Sequence, residues 1–215
     1  VFYEQQIAEI VLPMHNVLEL GSGTGRFTLA LLQTGAAVTA SDIAPNCLRL
    51  IERRFRNYSA TLATKLADIE HLPFENSSFD IVVCAGSLSY GRPNEVDAEI
   101  KRVLRPGGIL ICVDSLNNNP VYRLNRWLHY LLGNRTKSTL TWMPDLLRLN
   151  ALSEGFSDVN VRYFGALSFI MPILAGLLGE NTAKAVSDWF DKFIGVKRSA
   201  FKFVMVAKKF RASCQ

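Results

Sequence analysis

The first half of the chain alternates short apolar runs with longer amphipathic stretches. Apolar runs of strand length, each followed by residues at helical spacing, are typical of a parallel sheet covered by helices. The runs that predict strands are 16–20, 37–41, 63–67, 79–85 and 109–113. The stretches between them predict helices over 25–32, 45–58 and 95–104. The pattern therefore predicts an α/β fold with a mostly parallel sheet.

Beyond residue 114 the pattern changes to isolated amphipathic helices and two further strands. Residues 120–132 predict a helix that packs through an apolar stripe and carries two arginines on its other side. The stripe consists of Leu124, Trp127, Leu128 and Leu131, and the arginines are Arg123 and Arg126. The remaining predicted elements are a helix over 144–152, strands over 156–163 and 200–207, and a second helical stripe over 182–194.

The composition is that of a single folded domain, which we assign to residues 1–215. Of the 215 residues 49% are hydrophobic and 20% are charged, and one hydrophobic core can serve a chain of this length. The formal net charge of +5 would suit an anionic partner without identifying one. Because the cysteines form no CxxC pair, we expect a reducing, cytoplasmic setting. Cys84 and Cys112 lie in apolar runs, where we expect them to be buried.

One uncharged segment, 163–179, is unusually apolar, but it contains Pro172 and is shorter than the roughly 20 residues of a membrane-spanning helix. We therefore expect a soluble protein in which this segment has one of three roles. It contacts the inner face of a membrane, covers a lipid-linked acceptor, or packs in the core or in a homodimer interface. The chain begins at Val1 and not at a methionine, so we expect it to be a trimmed form, and no signal-peptide pattern opens it.

The segment with the clearest chemistry is a glycine-rich turn directly after the first predicted strand. Gly21, Gly23 and Gly25 let the backbone approach a ligand closely, and the next helix offers unpaired N–H groups to a negative group. Asp42, at the end of the second predicted strand, is placed to accept hydrogen bonds from ribose hydroxyls. These features indicate a ligand that contains adenosine. A nicotinamide dehydrogenase would share them, but its fingerprint requires Gly or Ala where this chain has Arg26.

Further motifs follow in a fixed order along the chain. Asp68 and Ile69 come after the third strand, FDIV at 79–82 opens the fourth, and LRPGG at 104–108 precedes the fifth. Together with the glycine turn, this series resembles the class I S-adenosylmethionine-dependent methyltransferases over residues 16–113. The resemblance implies a Rossmann-like, seven-stranded, mostly parallel sheet with an antiparallel last strand and helices on both faces. It also implies three parts: a cofactor-binding core at 16–113, acceptor-side helical insertions and sheet completion at 114–199, and a last strand at 200–209.

The resemblance implies S-adenosylmethionine as cofactor and S-adenosylhomocysteine as its product. The residues around the methionine part would be Glu19, Gly21, Gly23, Gly25, Ala85 and Gly86, and Ser22 would also bind the cofactor. Among them, Glu19 would help to hold the amino group. Asp42 would accept hydrogen bonds from both ribose hydroxyls, and Ile43 would pack on the adenine. Asp68 would accept a hydrogen bond from the adenine amino group, with the Ile69 backbone beside it.

Catalytic candidates come from segments after the fourth and fifth strands, since open parallel sheets bind ligands at the carboxyl ends of their strands. Ser87 and Tyr90 are predicted to lie on the acceptor side. A hydroxyl acceptor would benefit from a general base, for which we name His129 first and Asp114 second. The alternatives are a half-buried structural histidine at position 129 and an Asp114 that caps the next segment. No cluster of His, Cys and acidic residues has metal-ligand spacing, so we expect no metal.

The acceptor is predicted to be a small or lipid-linked hydroxyl compound, with a saccharide as the first hypothesis. Methylation of a carbon in a quinone-like or isoprenoid compound is the alternative. Basic residues in 120–152 would either bind phosphate on the acceptor or form a solvated helix face; they are Arg123, Arg126, Arg135, Lys137 and Arg148. Residues 122–126 and 133–136 also resemble methyltransferases of bacterial surface-polysaccharide synthesis. We expect no nucleic-acid partner, and a module that binds the cofactor without turnover is a further hypothesis.

Overall fold

The structure is a computed structural model that describes residues 2–58, 61–133, 137–166 and 197–211, together with 176, 179–182, 185, 186 and 189. Its strands are β1 Asn16–Leu20, β2 Ala37–Asp42, β3 Leu62–Leu66, β4 Phe79–Ala85, β5 Leu104–Ser115, β6 Phe156–Phe164 and β7 Lys202–Lys209. Its helices are α1 Phe2–Ile10, α2 Thr28–Leu32, α3 Pro45–Arg54, α4 Pro93–Val103, α5 Pro120–Leu131, α6 Lys137–Thr141 and α7 Leu146–Ser153. Short 3-10 helices cover Arg56–Tyr58 and Leu88–Tyr90.

The strands form a seven-stranded sheet in the order β3-β2-β1-β4-β5-β7-β6. The first five strands are mutually parallel, and β7 runs antiparallel to both β5 and β6. This confirms the predicted mostly parallel sheet with its antiparallel last strand. The strand order reverses between β1 and β4, which is the place where open α/β sheets leave a crevice for a ligand.

The two faces of the sheet carry separate hydrophobic cores because successive strand residues point to opposite sides. On one face, Val17 of β1 packs with residues of α1, α2 and α3. On the other face, Leu18 packs with residues of α4 and α7. Cys84 and Cys112 occupy neighbouring strands and are fully buried, as predicted. Helices therefore cover both faces of the strands that form the crevice.

The first helix, α1, was not among the elements that the sequence pattern predicts. Its buried residues are Tyr3 and Ile7, four positions apart, and the edge of the Tyr3 ring meets Phe27 at 5.0 Å between ring centroids. This spacing is a helical signal, but two apolar positions in a short segment do not distinguish a packed helix from an irregular terminus.

The LRPGG segment at 104–108, expected to precede the fifth strand, forms a bulge inside β5. Phe79 pairs with Leu104 and Ile81 pairs with Ile109, so the intervening residues of β5 have no regular partners on β4. A Cβ at Gly108 would lie 2.9 Å from the Asp80 carbonyl oxygen, which is closer than real Cβ contacts come. The glycine therefore allows the two backbones to pass each other.

The apolar stripe of α5 faces outward, which is opposite to the prediction. Leu124, Trp127, Leu128 and Leu131 are 46–59% exposed. Arg126, on the side expected to face solvent, is only 4% exposed, because it donates a hydrogen bond of 2.9 Å to the Leu116 carbonyl oxygen. Most of 182–194, most of 163–179, and Cys214 lie outside the described residues; of the second stripe, the structure describes Val186 and Trp189, which are both exposed. Among the described residues, no helix is long and apolar enough to cross a bilayer.

Candidate active site

A cavity of about 390 Å³ opens at the carboxyl ends of β1, β2 and β4, where the strand order reverses. It is lined by Leu20, Gly21, Gly23, Ser41, Asp42, Ile43, Ala67, Ile69, Leu72, Ala85, Gly86, Ser87 and Tyr90. The cavity thus brings together most of the site residues that the sequence predicts, from the glycine turn, the end of β2 and the loop after β4.

The glycine turn after β1 needs glycine for two different reasons. Gly21, Gly23 and Gly25 all have positive φ angles, of +63°, +52° and +80°, which other L-residues rarely adopt. A Cβ at Gly21 would lie 2.7 Å from the Ser87 Cβ, and one at Gly25 would lie 2.7 Å from the Phe55 ring. A Cβ at Gly23 would meet nothing within 4 Å. Gly21 and Gly25 therefore serve close packing, whereas Gly23 presents its backbone to open space.

Asp42 joins the glycine turn to the end of β2. One carboxylate oxygen accepts a hydrogen bond from the Gly23 N–H, and the other accepts one from the Ala44 N–H, both at 2.8 Å. A carboxylate has about four acceptor positions, so each oxygen keeps a lone pair for a ligand. Asp42 is thereby oriented at the cavity wall with unused capacity to accept hydrogen bonds.

The loop after β4 forms the opposite wall and is held from three sides. The Ser87 hydroxyl donates to the Leu20 carbonyl oxygen at 3.0 Å, which ties the loop to β1. The Leu88 N–H donates to an Asp114 carboxylate oxygen at 3.1 Å, and the Leu88 carbonyl accepts from the Arg148 guanidinium at 2.7 Å. The loop is therefore fixed relative to both the glycine turn and α7.

The strands around the cavity belong to a segment of the chain that matches a known domain family. Residues 18–112 match the family model described as a methyltransferase domain. The matched segment is a methyltransferase domain, and the chain has the fold of S-adenosylmethionine-dependent methyltransferases. It is 36% identical over 187 residues to the sterol 4-C-methyltransferase strm-1 of Caenorhabditis elegans, covering 78% of this chain and 56% of that protein.

Other similar proteins likewise match this chain over only about half of their own length. A demethylmenaquinone methyltransferase of Tropheryma whipplei is 35% identical over 128 residues, covering 56% of this chain and 51% of that protein. This methyltransferase chain thus spans about half the length of the curated relatives that it matches. The structure of phosphoethanolamine N-methyltransferase 2 of Haemonchus contortus in complex with S-adenosyl-L-methionine superposes with a TM-score of 0.67. At 17% identity, covering 98% of this chain and 52% of that chain, it shows the shared fold alone.

The cavity of this methyltransferase fits the cofactor of the family. Gly23 and Gly86 both line it with positive φ, and a Cβ at either would meet no atom within 4 Å, so both leave room for a ligand against the backbone. Asp42 can accept hydrogen bonds from ribose hydroxyls, and Ile43 and Ile69 offer apolar surface. The volume lies within the range of roughly 300–1,000 Å³ that is usual for small-molecule sites. These residues would hold S-adenosylmethionine.

Several predicted cofactor residues do not contribute to the described cavity wall: Glu19, Ser22, Gly25 and Asp68. Glu19 is buried in β1, where the Thr28 hydroxyl donates to its carboxyl group at 2.6 Å. Burial raises the pKa of Glu19 to about 7, and the Asp42 charge adds to the increase. Ser22 is buried, and exposed Asp68 accepts a hydrogen bond from the Glu70 N–H at 2.9 Å. Their roles toward the cofactor stay predictions.

Asp114, predicted as a base, supports the loop after β4. It is buried behind the cavity wall, and its two oxygens accept from the Ser115 and Leu88 N–H groups. Burial raises its pKa to about 6, while the two backbone hydrogen bonds act in the opposite direction. A catalytic role for Asp114 stays a prediction, and its described contacts are structural.

Arg148 lies next to the loop after β4, a position that the sequence did not predict. The sequence pattern places it among the basic residues of 120–152, but it is buried and forms an ion pair with buried Asp97 at 3.2 Å. Its guanidinium also donates to the Leu88 and Trp142 carbonyl oxygens, both at 2.7 Å. Arg126 is buried as well, so neither arginine is available to bind phosphate on an acceptor. An arginine within the apolar helix 146–153 was the one signal that could have indicated a buried ion pair.

His129, the first predicted base, lies on the exposed side of α5 and does not line the cavity.

The described residues contain one group with metal-ligand spacing, Glu70, His71 and Glu95, whose ligand atoms lie within 4.8 Å of one another. The Arg92 backbone N–H and guanidinium both donate to the Glu70 carboxylate, at 2.6 and 3.1 Å, and lower its pKa. This group is therefore an ion-pair cluster, and we assign no metal to it.

Proposed function

We propose that this methyltransferase transfers the methyl group of S-adenosylmethionine to a carbon atom of an apolar, quinone-like or isoprenoid-derived acceptor. The observation that carries the transfer is the cavity itself. It combines a glycine turn, an oriented Asp42 and the open backbone of Gly86, all within the residues that match the methyltransferase domain. The choice of an apolar acceptor rests on the relatives that bear the names sterol 4-C-methyltransferase and demethylmenaquinone methyltransferase.

The contribution of the protein is to position the donor and exclude water. The cofactor, when bound, supplies a methyl group that its sulfonium sulfur already activates. The chain must then hold donor and acceptor in line at short distance, and no covalent enzyme nucleophile is required. The bond from sulfur to the methyl carbon would break as the bond to the acceptor carbon forms, and that carbon would release its proton to solvent after the transfer. Asp42 would orient the ribose, while the open backbone at Gly23 and Gly86 would admit the methionine part. The fixed loop of Ser87 and Tyr90 would hold the acceptor at the far wall.

The described wall of the cavity favours an apolar acceptor over a saccharide. Asp42 is the one carboxylate on the described wall and is assigned to the cofactor ribose, which leaves Ser87 and Tyr90 as the polar side chains on the acceptor side. Saccharide hydroxyls are usually recognised by several polar side chains, because each buried hydroxyl requires a partner. The saccharide acceptor stays a prediction, and the acceptor assay described below includes it.

We expect Asp42→Ala to weaken binding of S-adenosylmethionine and S-adenosylhomocysteine by about 10- to 150-fold. This range corresponds to hydrogen bonds made to a charged group. Isothermal titration calorimetry would measure it, with Asp158→Ala as the matched control because Asp158 is exposed on β6, away from the cavity. Equal affinity of both variants would contradict the assigned site. Tight NADH binding without affinity for the adenosyl compounds would contradict the methyltransferase assignment.

We expect methyl transfer from labelled S-adenosylmethionine to a demethylmenaquinol or a sterol, and none to a soluble glycan. The assay would use detergent-dispersed acceptors and would locate the label by mass spectrometry. Label on a carbon atom supports the proposal. Transfer to the glycan alone would support the saccharide hypothesis instead. Cofactor binding without transfer to any acceptor of these classes would favour a non-catalytic binding module.

A further inference from the structure

We infer that the outward face of α5 binds the surface of an anionic lipid bilayer. We define the α5 outer face as Val121, Leu124, Trp127, Leu128 and Leu131, which are each about half exposed. These side chains follow helical spacing and form one continuous apolar stripe. Among the described residues, nothing packs over it. Contiguous exposed apolar surface of this kind marks an interaction site in a folded protein.

The orientation of α5 is fixed by polar contacts on its inner side. The Arg126 guanidinium donates to the Leu116 carbonyl oxygen and lies 5.4 Å from the centre of the Phe201 ring. The Tyr122 hydroxyl donates to the Gly165 carbonyl oxygen at 3.1 Å. The Asn119 side chain caps the helix by accepting from the Val121 N–H at 2.9 Å. Rotating the helix to bury its apolar stripe would break all of these contacts, so the stripe must find its partner outside this core.

The charge around the stripe selects the partner. Residues 115–144 contain no acidic residue, and Arg123 and Lys137 are exposed beside or just beyond the helix. Cations flanking an apolar face that contains Trp are the signature of a helix lying in the interface of an anionic membrane. A second copy of the same face would bring like charges together with no acid to pair them. Charge complementarity therefore favours anionic lipid over a dimer.

The α5 outer face lies on the acceptor side of the molecule. Helix α6 contacts both α5 and the short helix Leu88–Tyr90, whose Tyr90 lines the cavity. Docking through α5 would thus bring the acceptor wall near the bilayer. The lipid-binding inference itself does not depend on the acceptor proposed above, because it is tested by binding alone.

The test is co-sedimentation of the full chain with vesicles of phosphatidylcholine and with vesicles that also contain phosphatidylglycerol. We expect binding to the anionic vesicles only. Trp127→Ser combined with Leu131→Ser should lower the partition coefficient by roughly tenfold or more, because two buried apolar side chains are lost. Arg123→Glu should lower it several-fold and should make its dependence on anionic lipid shallower, because a cation that the anionic surface attracts is replaced by an anion. Met14→Ser is the matched control, since Met14 is an exposed apolar residue before β1, outside α5.

A second readout places the contact on α5 itself. Trp142→Phe combined with Trp189→Phe leaves Trp127 as the single tryptophan, and its emission should shift to shorter wavelength when anionic vesicles are added. Unchanged emission with bound protein, or equal binding by the Trp127→Ser/Leu131→Ser variant, would overturn the inference. Concentration-dependent dimerisation that this variant abolishes would instead assign the face to a second copy. Vesicle binding that persists when no acceptor is methylated would leave this inference standing and contradict the proposed function alone.

Discussion

Replacing Arg148 with methionine should destabilise the fold by about 3–5 kcal/mol at neutral pH, which is the usual cost of leaving a buried partner charge unpaired. Asp97 would be that charge, because it is the buried partner of Arg148 in the ion pair. Burial already raises the pKa of Asp97 while Arg148 is present, which shows how unfavourable its environment is for a charge. The variant also loses the hydrogen bonds to the Leu88 and Trp142 carbonyl oxygens. Chemical denaturation at pH 7 would measure the free energy of unfolding.

The matched control is Arg123→Met, because Arg123 is exposed on α5 and its replacement should change stability by less than about 0.5 kcal/mol. Adding Asp97→Asn to Arg148→Met should recover part of the loss, because the unpaired charge is then absent. Similar unfolding free energies for Arg148→Met and Arg123→Met would refute the buried ion pair. Since Arg148 holds the loop after β4, the variant should also raise KM for the acceptor more than it weakens cofactor binding.

Replacing Glu19 with glutamine should make the cofactor-free protein more stable at pH 8, by up to about 3 kcal/mol. The folded-state pKa of Glu19 is about 7, above its ordinary value of 4.5, so the folded protein holds this proton more tightly than the unfolded chain. Wild-type stability therefore falls as the pH rises from about 4.5 to 7, and the loss is complete above that range. Glutamine cannot ionise, and its amide oxygen can still accept the Thr28 hydrogen bond.

Thermal unfolding of both proteins between pH 4 and 8.5 would measure this difference. The two midpoints should coincide near pH 4, separate progressively between about pH 4.5 and 7, and stay apart above that range. Glu9→Gln, at an exposed position of α1, is the control and should follow the wild type throughout. Parallel curves for Glu19→Gln and the wild type would show that Glu19 does not titrate in this window. If Glu19 holds the cofactor amino group, Glu19→Gln should bind S-adenosylmethionine more weakly than the wild type. The affinity of the wild type should also rise toward pH 8 as Glu19 ionises, whereas that of the variant should not.

The cofactor half of the molecule could be predicted from sequence because its signals are local. A strand that ends in Gly21 and Gly23, and an acid at the end of the next strand, encode both a backbone shape and a hydrogen-bond acceptor. Parallel strands then bring Asp42 to the same edge of the sheet as the glycine turn without further information. The cavity wall formed by these residues was therefore predictable.

The helices after β5 were predicted less well because long-range contacts decide how they pack. The spacing of Leu124 and Trp127 gives α5 an apolar face, but it does not say which face turns inward. That choice depends on Arg126 reaching Leu116, just after β5, and Phe201, which is 75 residues away in sequence. The partner of Arg148, Asp97, likewise lies on α4 and leaves no local pattern.

The contact between the glycine turn and the loop after β4 restricts how this site can evolve or be redesigned. A side chain at position 21 would lie 2.7 Å from the Ser87 Cβ, so neither wall can grow toward the other independently. Libraries that vary position 87 alone would mostly sample polarity, because its volume is limited by the backbone opposite. Changes in acceptor preference should therefore accumulate at outer positions such as Tyr90, while positions 21 and 87 change as a pair or remain fixed.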